Sequence, residues 1–356
     1  MNSNHKIHIA IDVMSGDFGL SVTVPASLMA LSQDPNLNLI LVGDKHQIEI
    51  ELNDKVKFHP QLFSKNSRSY KERIEIVHSS QVVLMDDLPI YALRSKPDSS
   101  MRTALNLVKG KKAQACVSAG NTGALMVIAK YTLRTLPGID RPAILYPMPS
   151  KERSVSVLDL GANIECSAEQ LFQFAVMGSI VVSALENKPN PTVGLLNVGS
   201  ELIKGTEVIK SANKLISECE DLNYFGFVEG DDIYKGTVDL VVCDGFVGNV
   251  TLKVSEGLAK LIMFYVKQGF KQNWYSKLIA LLAKPILRQI FNKVNPSKYN
   301  GASFLGLNGV VIKSHGGANI EGFCCAIKAA SLEAKKNIPT LIREKVAFQL
   351  RNYAKV

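Results

Sequence analysis

The sequence predicts an α/β protein built as three layers around a mostly parallel sheet. Short continuous runs of aliphatic and β-branched residues recur between helical patterns, which is how strands buried on both faces read. Several of these runs end in a Gly/Asn/Asp cluster that opens a helix. With 356 residues and 46% hydrophobic content, the chain can bury a large core, as one α/β domain over 1–356 or as two lobes. Aromatic residues make up 7% and charged residues 21%, with no Pro-, Ser- or Gln-rich tract, so a disordered reading has no support.

Strands are expected at 7–12, 39–42, 114–118, 155–159, 193–197, 225–228 and 240–244, with helices over 22–31 and 124–133. The longest apolar stretch, 171–185, is interrupted by Gln173 and flanked by Glu169 and Glu186. It is short for a bilayer span and reads as a buried core helix. From 251 to 294 the pattern is helical, with a turn near Gln272 and Asn273, and with Pro285 interrupting or kinking the second arm. This segment reads as a helical hairpin inserted into the α/β body. A last strand and turn follow at 306–314, and closing helices at 317–335 and 339–353. Ligands of open α/β sheets bind outside the carboxyl ends of strands, so the glycine-bearing clusters are expected to converge on one crevice.

Net charge is +9, and residues 253–298 hold eight Lys and one Arg against the single acid Glu256. In this segment Leu258, Leu261, Ile262, Tyr265, Leu278, Leu281, Leu282, Ile286 and Ile290 recur at helical spacing, punctuated by Lys260, Lys267, Lys271, Lys277, Lys284 and Arg288. Such a basic amphipathic pair suits a dimerisation or core face with a solvated Lys rim, a face that meets apolar tails and anionic headgroups, or both at once. The six cysteines form no C-x-x-C pair and no metal-type spacing, and no secretory leader is read before the first strand. The expectation is a reducing cytoplasm.

Gly120-Asn121-Thr122-Gly123 follows an apolar strand and opens a helix, the arrangement in which free N–H groups and the helix dipole favour an anion such as phosphate. The plain alternative is a tight turn with an ordinary cap. Neither the dinucleotide fingerprint nor the P-loop pattern is present. Asp12 ends the first strand, and Asp17 lies in the glycine-containing loop after it, able to hold a substrate group or cap a helix. In Asp244-Gly-Phe-Val-Gly-Asn249 two glycines flank a displayed aromatic. Ser314-His315-Gly-Gly317 places an imidazole at a strand–helix junction, where it suits acid/base or oxyanion duty. Cys116 and Cys243 lie at strand ends, but neither has an adjacent base, and a buried thiol is the better reading than an acyl-cysteine. The basic residues Arg94, Lys96 and 109–112 bracket a helix and read as solvated charge or as a contact with an acidic partner.

Ile9-Ala-Ile-Asp-Val-Met-Ser-Gly-Asp17, Val117-Ser-Ala-Gly-Asn-Thr-Gly-Ala124, Val241-Val-Cys-Asp-Gly-Phe-Val-Gly-Asn-Val250 and Val311-Ile-Lys-Ser-His-Gly316 resemble the PlsX family of phosphate acyltransferases, over about residues 7–341. Ser15 and Leu20 depart from the glycine and proline of the family pattern. The resemblance implies transfer of a fatty acyl group from acyl carrier protein to inorganic phosphate, an early step of phospholipid synthesis. It further implies a fold similar to phosphotransacetylases and isocitrate-type dehydrogenases, and a homodimer held peripherally on the cytoplasmic membrane, near the membrane glycerol-phosphate acyltransferase that uses acyl phosphate.

Phosphate is already a nucleophile, so neither metal nor other cofactor is called for; the protein has to hold it in line with the thioester carbonyl and stabilise the oxyanion. Gly120, Asn121, Thr122 and Gly123 are assigned to phosphate, with Asn163, Asn197 and Lys204 as polar partners. Asp244 and Asn249 would orient substrate, and His315 with Ser314 would assist the oxyanion or the leaving thiol. Rival readings are a short-chain phosphotransacetylase and a non-catalytic basic scaffold on a membrane. No nucleic-acid motif is found.

Overall fold

The computed structural model describes residues 6–58, 70–294 and 296–353. The first half builds β1 (Ile7–Asp12), α1 (Leu20–Gln33), β2 (Leu37–Gly43), α2 (Lys45–Phe58), β3 (Ile74–His78), α3 (Pro89–Ser95), α4 (Ser100–Lys109), β4 (Ala115–Ser118) and α5 (Thr122–Leu133). Strands β5 (Ala143–Pro149) and β6 (Ser154–Leu158) follow, then α6 (Ala168–Glu186), β7 (Thr192–Leu196), α7 (Glu207–Ser217), β8 (Asn223–Val228), α8 (Asp232–Lys235) and β9 (Leu240–Val242). Two long helices, α9 (Gly245–Lys271) and α10 (Trp274–Val294), precede β10 (Ala302–Leu305), β11 (Val310–Lys313), α11 (Ile320–Lys336) and α12 (Ile338–Tyr353).

These strands form one sheet in the order β3-β2-β1-β4-β11-β10-β5-β6-β9-β7-β8. Seven neighbouring pairs are parallel and three, around β10 and β5, are antiparallel. Side chains alternate across each strand, which makes the three layers. Ile9 and Ile11 pack with α1 and α11 on one face, while Ala10 packs with Met101 of α4 and Leu125 of α5 on the other. In the second half Leu158, Leu195 and Val242 pack against α6 and α12.

The α/β class and the mostly parallel sheet agree with the sequence, but three strands carried no readable signal. β3 is a half-buried edge strand, β5 includes Pro147 and Pro149, and β10 has four residues.

The expected convergence of the glycine clusters on one crevice is corrected. β10 runs antiparallel to both β11 and β5, and β5 antiparallel to β6. The block β6-β9-β7-β8 therefore runs opposite to β3-β2-β1-β4-β11. The carboxyl ends of β1, β4 and β11 lie at one edge of the sheet, and those of β6, β7 and β9 at the other.

Helix α6 is long and apolar enough to cross a membrane by length and composition, yet most of its residues are buried against the sheet. In α9 the helix starts at Gly245, ahead of the expected boundary at 251. The chain breaks helix at Gln272 and Asn273, where the Asn273 Oδ1 accepts from Ser276 N at 2.8 Å and caps α10. Pro285 does not interrupt α10. On an exposed helix the carbonyl it leaves unpaired can bond water. From Lys253 onward most described side chains of both helices are exposed; the side chain of Ile290 lies outside the described residues.

Candidate active site

Three loops meet at the first edge, each following a strand of the parallel block. Gly16 has φ +91°, and a Cβ there would stand 2.9 Å from the Ala119 Cβ and 3.1 Å from the Gly316 oxygen. A Cβ at Gly120 would meet Met101 Cε at 2.6 Å and Ser15 Oγ at 2.9 Å. Only glycine lets the backbones approach this closely. The Asp17 N–H donates to the Gly316 oxygen at 3.0 Å, joining the loops after β1 and β11. Asp12 lies fully buried beneath them, accepting from Ser118 Oγ at 2.7 Å and from Ser15 Oγ. Burial pushes its carboxyl up.

The expected phosphate loop is at this edge, and its asparagine has a structural task. Asn121 Oδ1 accepts from Ala124 N at 2.9 Å, capping α5, and its Nδ2 donates to the carbonyls of Met85 and Asp87 at 2.7 and 3.1 Å. What remains for an anion is the exposed N-terminal turn with Thr122 and Gly123, whose first N–H groups have no acceptor within the helix.

His315 is open to this edge. Gly317 N donates to its Nδ1 at 3.0 Å, so in the neutral ring the proton resides on Nε2 and the imidazole offers an N–H donor. Partial burial, aided by Lys253, Lys313 and Lys260 against Glu256, holds its pKa below the usual value, which keeps the ring neutral at pH 7. Ser314 is fully buried. Its Oγ accepts from Asn300 Nδ2 at 2.8 Å, and Asn300 Oδ1 accepts from His315 N at 2.9 Å. Ser314 thus belongs to the frame behind the histidine rather than to the open surface.

Two further residues of this frame escaped the sequence reading. Lys313 ends β11 with its side chain buried; its Nζ donates to the Ala119 carbonyl at 3.3 Å and to that of Ser314. Burial lowers it to about 8, opposed by Asp17 and Asp12. It stands inside Val311-Ile-Lys-Ser-His-Gly316, and a lysine at the end of an apolar strand run is the signal that could have found it. Asn300 is separated from His315 by two strands and has no local signal.

The second edge holds the other expected residues. Asp159 is buried and accepts from Ile144 N, Ala162 N, Asn163 N and Asn163 Nδ2 at 2.7 to 3.1 Å. Asn163 therefore shapes the loop after β6, its amide also bonding the Pro142 carbonyl at 2.9 Å. Asp244 caps α9, accepting from Val247 N at 2.8 Å. Asn197 ties its own loop through the carbonyls of Gly199 and Lys204. Lys204 is exposed and pairs with Glu201 at 2.8 Å.

The two glycines around Phe246 are explained by packing. A Cβ at Gly245 would lie 2.6 Å from the Asn163 oxygen, and one at Gly248 1.9 Å from the Asp159 oxygen. Asn249 follows with an exposed side chain beside Gly161 and no hydrogen-bond partner among the described residues. An open cleft of about 810 Å³, lined by Arg141, Asn163, Cys166 and Gln170 among others, lies here at the N-terminus of α6.

Helix α9 links the two edges. It is anchored at Asp244 on the second edge, and its charges at Lys253, Glu256 and Lys260 act on His315 at the first. Asn249 and Lys253 are four residues apart, hence on one helix face. Burial pushes the thiols of Cys116 and Cys243 well above their usual value and that of Cys166 to about 12, so none is a thiolate at neutral pH. Among the described residues no cluster of His, Cys, Asp and Glu is arranged to hold a metal.

Residues 7–341 match the family described as fatty acid synthesis protein. A phosphate acyltransferase from Legionella pneumophila (strain Paris) is 54% identical over 341 residues, covering 96% of each chain. The chain belongs to the PlsX family of phosphate acyltransferases. Membership covers both edges of the sheet and the helices between them. A phosphotransacetylase from Streptococcus pyogenes superposes with a TM-score of 0.59 at 16% identity, over 93% of this chain and 94% of that one. A structure described as a putative 4-hydroxythreonine-4-phosphate dehydrogenase from Salmonella typhimurium gives 0.50 at 14% identity, over 92% and 99%. Both share the fold of this PlsX-family chain.

Proposed function

We propose that this PlsX-family acyltransferase moves a fatty acyl group from acyl carrier protein to inorganic phosphate. The observation that carries the reading is the first edge: an open helix N-terminus and a neutral His315 Nε2–H share one rim, with the Lys313 ammonium beneath. The N-terminal turn of α5 holds phosphate, and a phosphate oxygen attacks the thioester carbonyl. The C–O bond forms, His315 donates to the oxyanion, the C–S bond breaks, and the proton of hydrogen phosphate leaves with the thiol. Asn249 lies at the second-edge end of α9, on the helix face that carries Lys253, and orients the acyl group of the donor.

Incubation with acyl carrier thioester and phosphate should release one carrier thiol per acyl phosphate trapped as hydroxamate. Absence of phosphate-dependent thiol release overturns the reading, and a preference for acetyl over long-chain donors favours a short-chain enzyme. A bulky residue at Gly123 should raise the phosphate KM in a folded variant. Unchanged phosphate dependence moves the anion elsewhere.

The α9–α10 pair supports a second part of the reading, attachment to an anionic membrane. Leu258, Ile262, Leu278, Leu281, Leu282 and Ile286 are all at least half exposed, on a segment rich in lysine. Each engaged cation contributes about 1 kcal/mol near an anionic surface, and apolar insertion adds to it. Changing Lys271, Lys277 and Lys284 to Glu should abolish sedimentation with anionic vesicles while sparing turnover. Retained vesicle binding assigns the exposed faces to a homodimer interface instead.

A further inference from the structure

A second concentration of positive charge lies away from α9 and α10. Residues 88–134 contain eight Lys and Arg against the single acid Asp98. Lys96 is already paired with Asp87 at 2.5 Å, and Asp98 is occupied by Ser80. Among the described residues the other cations of this segment form no ion pair. The Arg102 guanidinium lies over the Tyr131 ring at 5.3 Å and that of Arg134 over the same ring at 5.8 Å. Neither forms an ion pair with an acid among the described residues. Arg102 Nη1 donates to the Leu93 carbonyl at 2.9 Å, so its remaining donors and the Arg134 fork are what a carboxylate can meet, and two like charges held against one ring repel each other unless an anion bridges them.

The backbone adds a second indication. Arg134 has φ 63° and ψ 163°, a region that glycine occupies far more readily than any L-residue. Asn308 holds it there through the Arg134 and Thr135 carbonyls. An arginine is kept where glycine would relieve strain.

Exposed apolar side chains lie on the same α3–α5 pair. Tyr131 is 51% exposed, and Leu88 and Ile90 at the start of α3 are 73% and 53% exposed. This part of α3 touches the expected phosphate loop: Asn121 donates to the Met85 and Asp87 carbonyls, and a Cβ at Gly123 would meet Pro89 Cγ at 3.0 Å. Thr122 and Tyr131 are nine residues apart on α5, about 14 Å at 1.5 Å per residue. An aromatic and arginine centre with apolar neighbours is the composition of a protein-docking surface. Its uncompensated positive charge selects an acidic partner.

We propose that the α3–α5 face centred on Arg102, Tyr131 and Arg134 docks an acidic protein that carries the thioester donor, setting the thioester beside the N-terminus of α5. The proposal rests on the acyl transfer reading above. It explains why the basic residues around α4 are not merely solvated charge, and it places the donor's carrier on a surface separate from the α9–α10 pair.

The test is steady-state kinetics of the full chain with two donors, an acyl thioester on acyl carrier protein and the same acyl group on pantetheine. Arg102→Glu with Arg134→Glu should raise the KM for the protein-borne donor about tenfold or more. The KM for acyl-pantetheine and for phosphate should stay within about twofold. Arg134→Gly relieves the strained backbone, so it should raise the carrier KM with an unchanged or higher Tm. That result separates docking from misfolding.

Equal KM increases for both donors, or none for either, overturn the proposal. So does a charge-reversal variant that loses only vesicle binding, which assigns the face to the membrane, or one that changes only oligomeric mass, which assigns it to a second copy of the chain. Binding of fluorescently labelled acyl carrier protein in the absence of phosphate reads docking independently of turnover. If wild type binds the carrier through these arginines without phosphate-dependent thiol release, the catalytic reading fails and the docking surface stands.

Discussion

Glu333 offers a quantitative check on the packing of α11 against the sheet. It is buried, with Oε2 accepting from Ser303 Oγ of β10 at 2.8 Å, and burial pushes its carboxyl from the usual 4.5 to about 7. Between these values the unfolded chain ionises while the native protein keeps its proton. Native binds more protons there, so stability falls as pH rises. The contribution is fully present below pH 4.5 and lost as pH passes about 7, and its size is about 3 kcal/mol. Glu333→Gln keeps the shape and a partner for Ser303 but removes the titration. Tm of wild type and variant should be measured from pH 4.5 to 8.5. For a chain of this length the gap between them should move by about 4 °C in favour of the glutamine variant as pH rises. Parallel Tm curves would show that Glu333 ionises normally and that the burial argument is wrong.

Lys313→Met removes a buried cation whose folded pKa is depressed. Wild type should gain stability between about pH 8 and 10.5 that the variant does not show, and the variant's phosphate KM should rise about tenfold at pH 7; an unchanged KM places Lys313 outside the anion site. Gly248→Ala drives a Cβ into the Asp159 carbonyl and should cost about 3 kcal/mol or more. Gly257→Ala, with open space at the same helix's exposed part, should stabilise by up to about 1 kcal/mol; equal Tm changes for the two contradict the seating of α9. Cys116→Ala and Cys243→Ala should each cost about 1 kcal/mol by denaturant titration and leave turnover within about twofold, because neither thiol is ionised. An acylated, kinetically competent cysteine in mass spectrometry refutes direct attack by phosphate.

Much of the site was legible as motif and little of it as role. The clusters at Asp12, Gly120, Asp244 and His315 were visible because glycine and small polar residues stand where strands become helices. Their tasks were not visible, since a cap, a loop tie and a ligand contact use the same residue types. Asn121, Asn197 and Asp244 spend polar atoms on backbone groups around them, and the Asn163 amide donates to the Pro142 carbonyl and the Asp159 carboxylate. Among the described residues, the expected site groups left open include the α5 N-terminal turn, the Asp17 carboxylate, His315 Nε2 and the Asn249 amide.

The sequence by itself determined the α/β class, the buried strands β1, β2, β4, β6, β7 and β9, the helix break at Gln272 and Asn273, and the two basic segments. Each is a local matter of periodicity, capping or charge. The tertiary structure alone decided which clusters share an edge. Strand direction is set by β5 and β10, short or proline-bearing pieces whose pairing depends on distant partners, and their antiparallel insertion sends the motifs of the second block to the far edge. It also decided that Asn300 holds His315, that the Lys313 ammonium is buried against the Ala119 and Ser314 carbonyls, and that Arg102 and Arg134 meet over one ring. Long-range contacts of this kind leave no trace in the spacing of neighbouring residues.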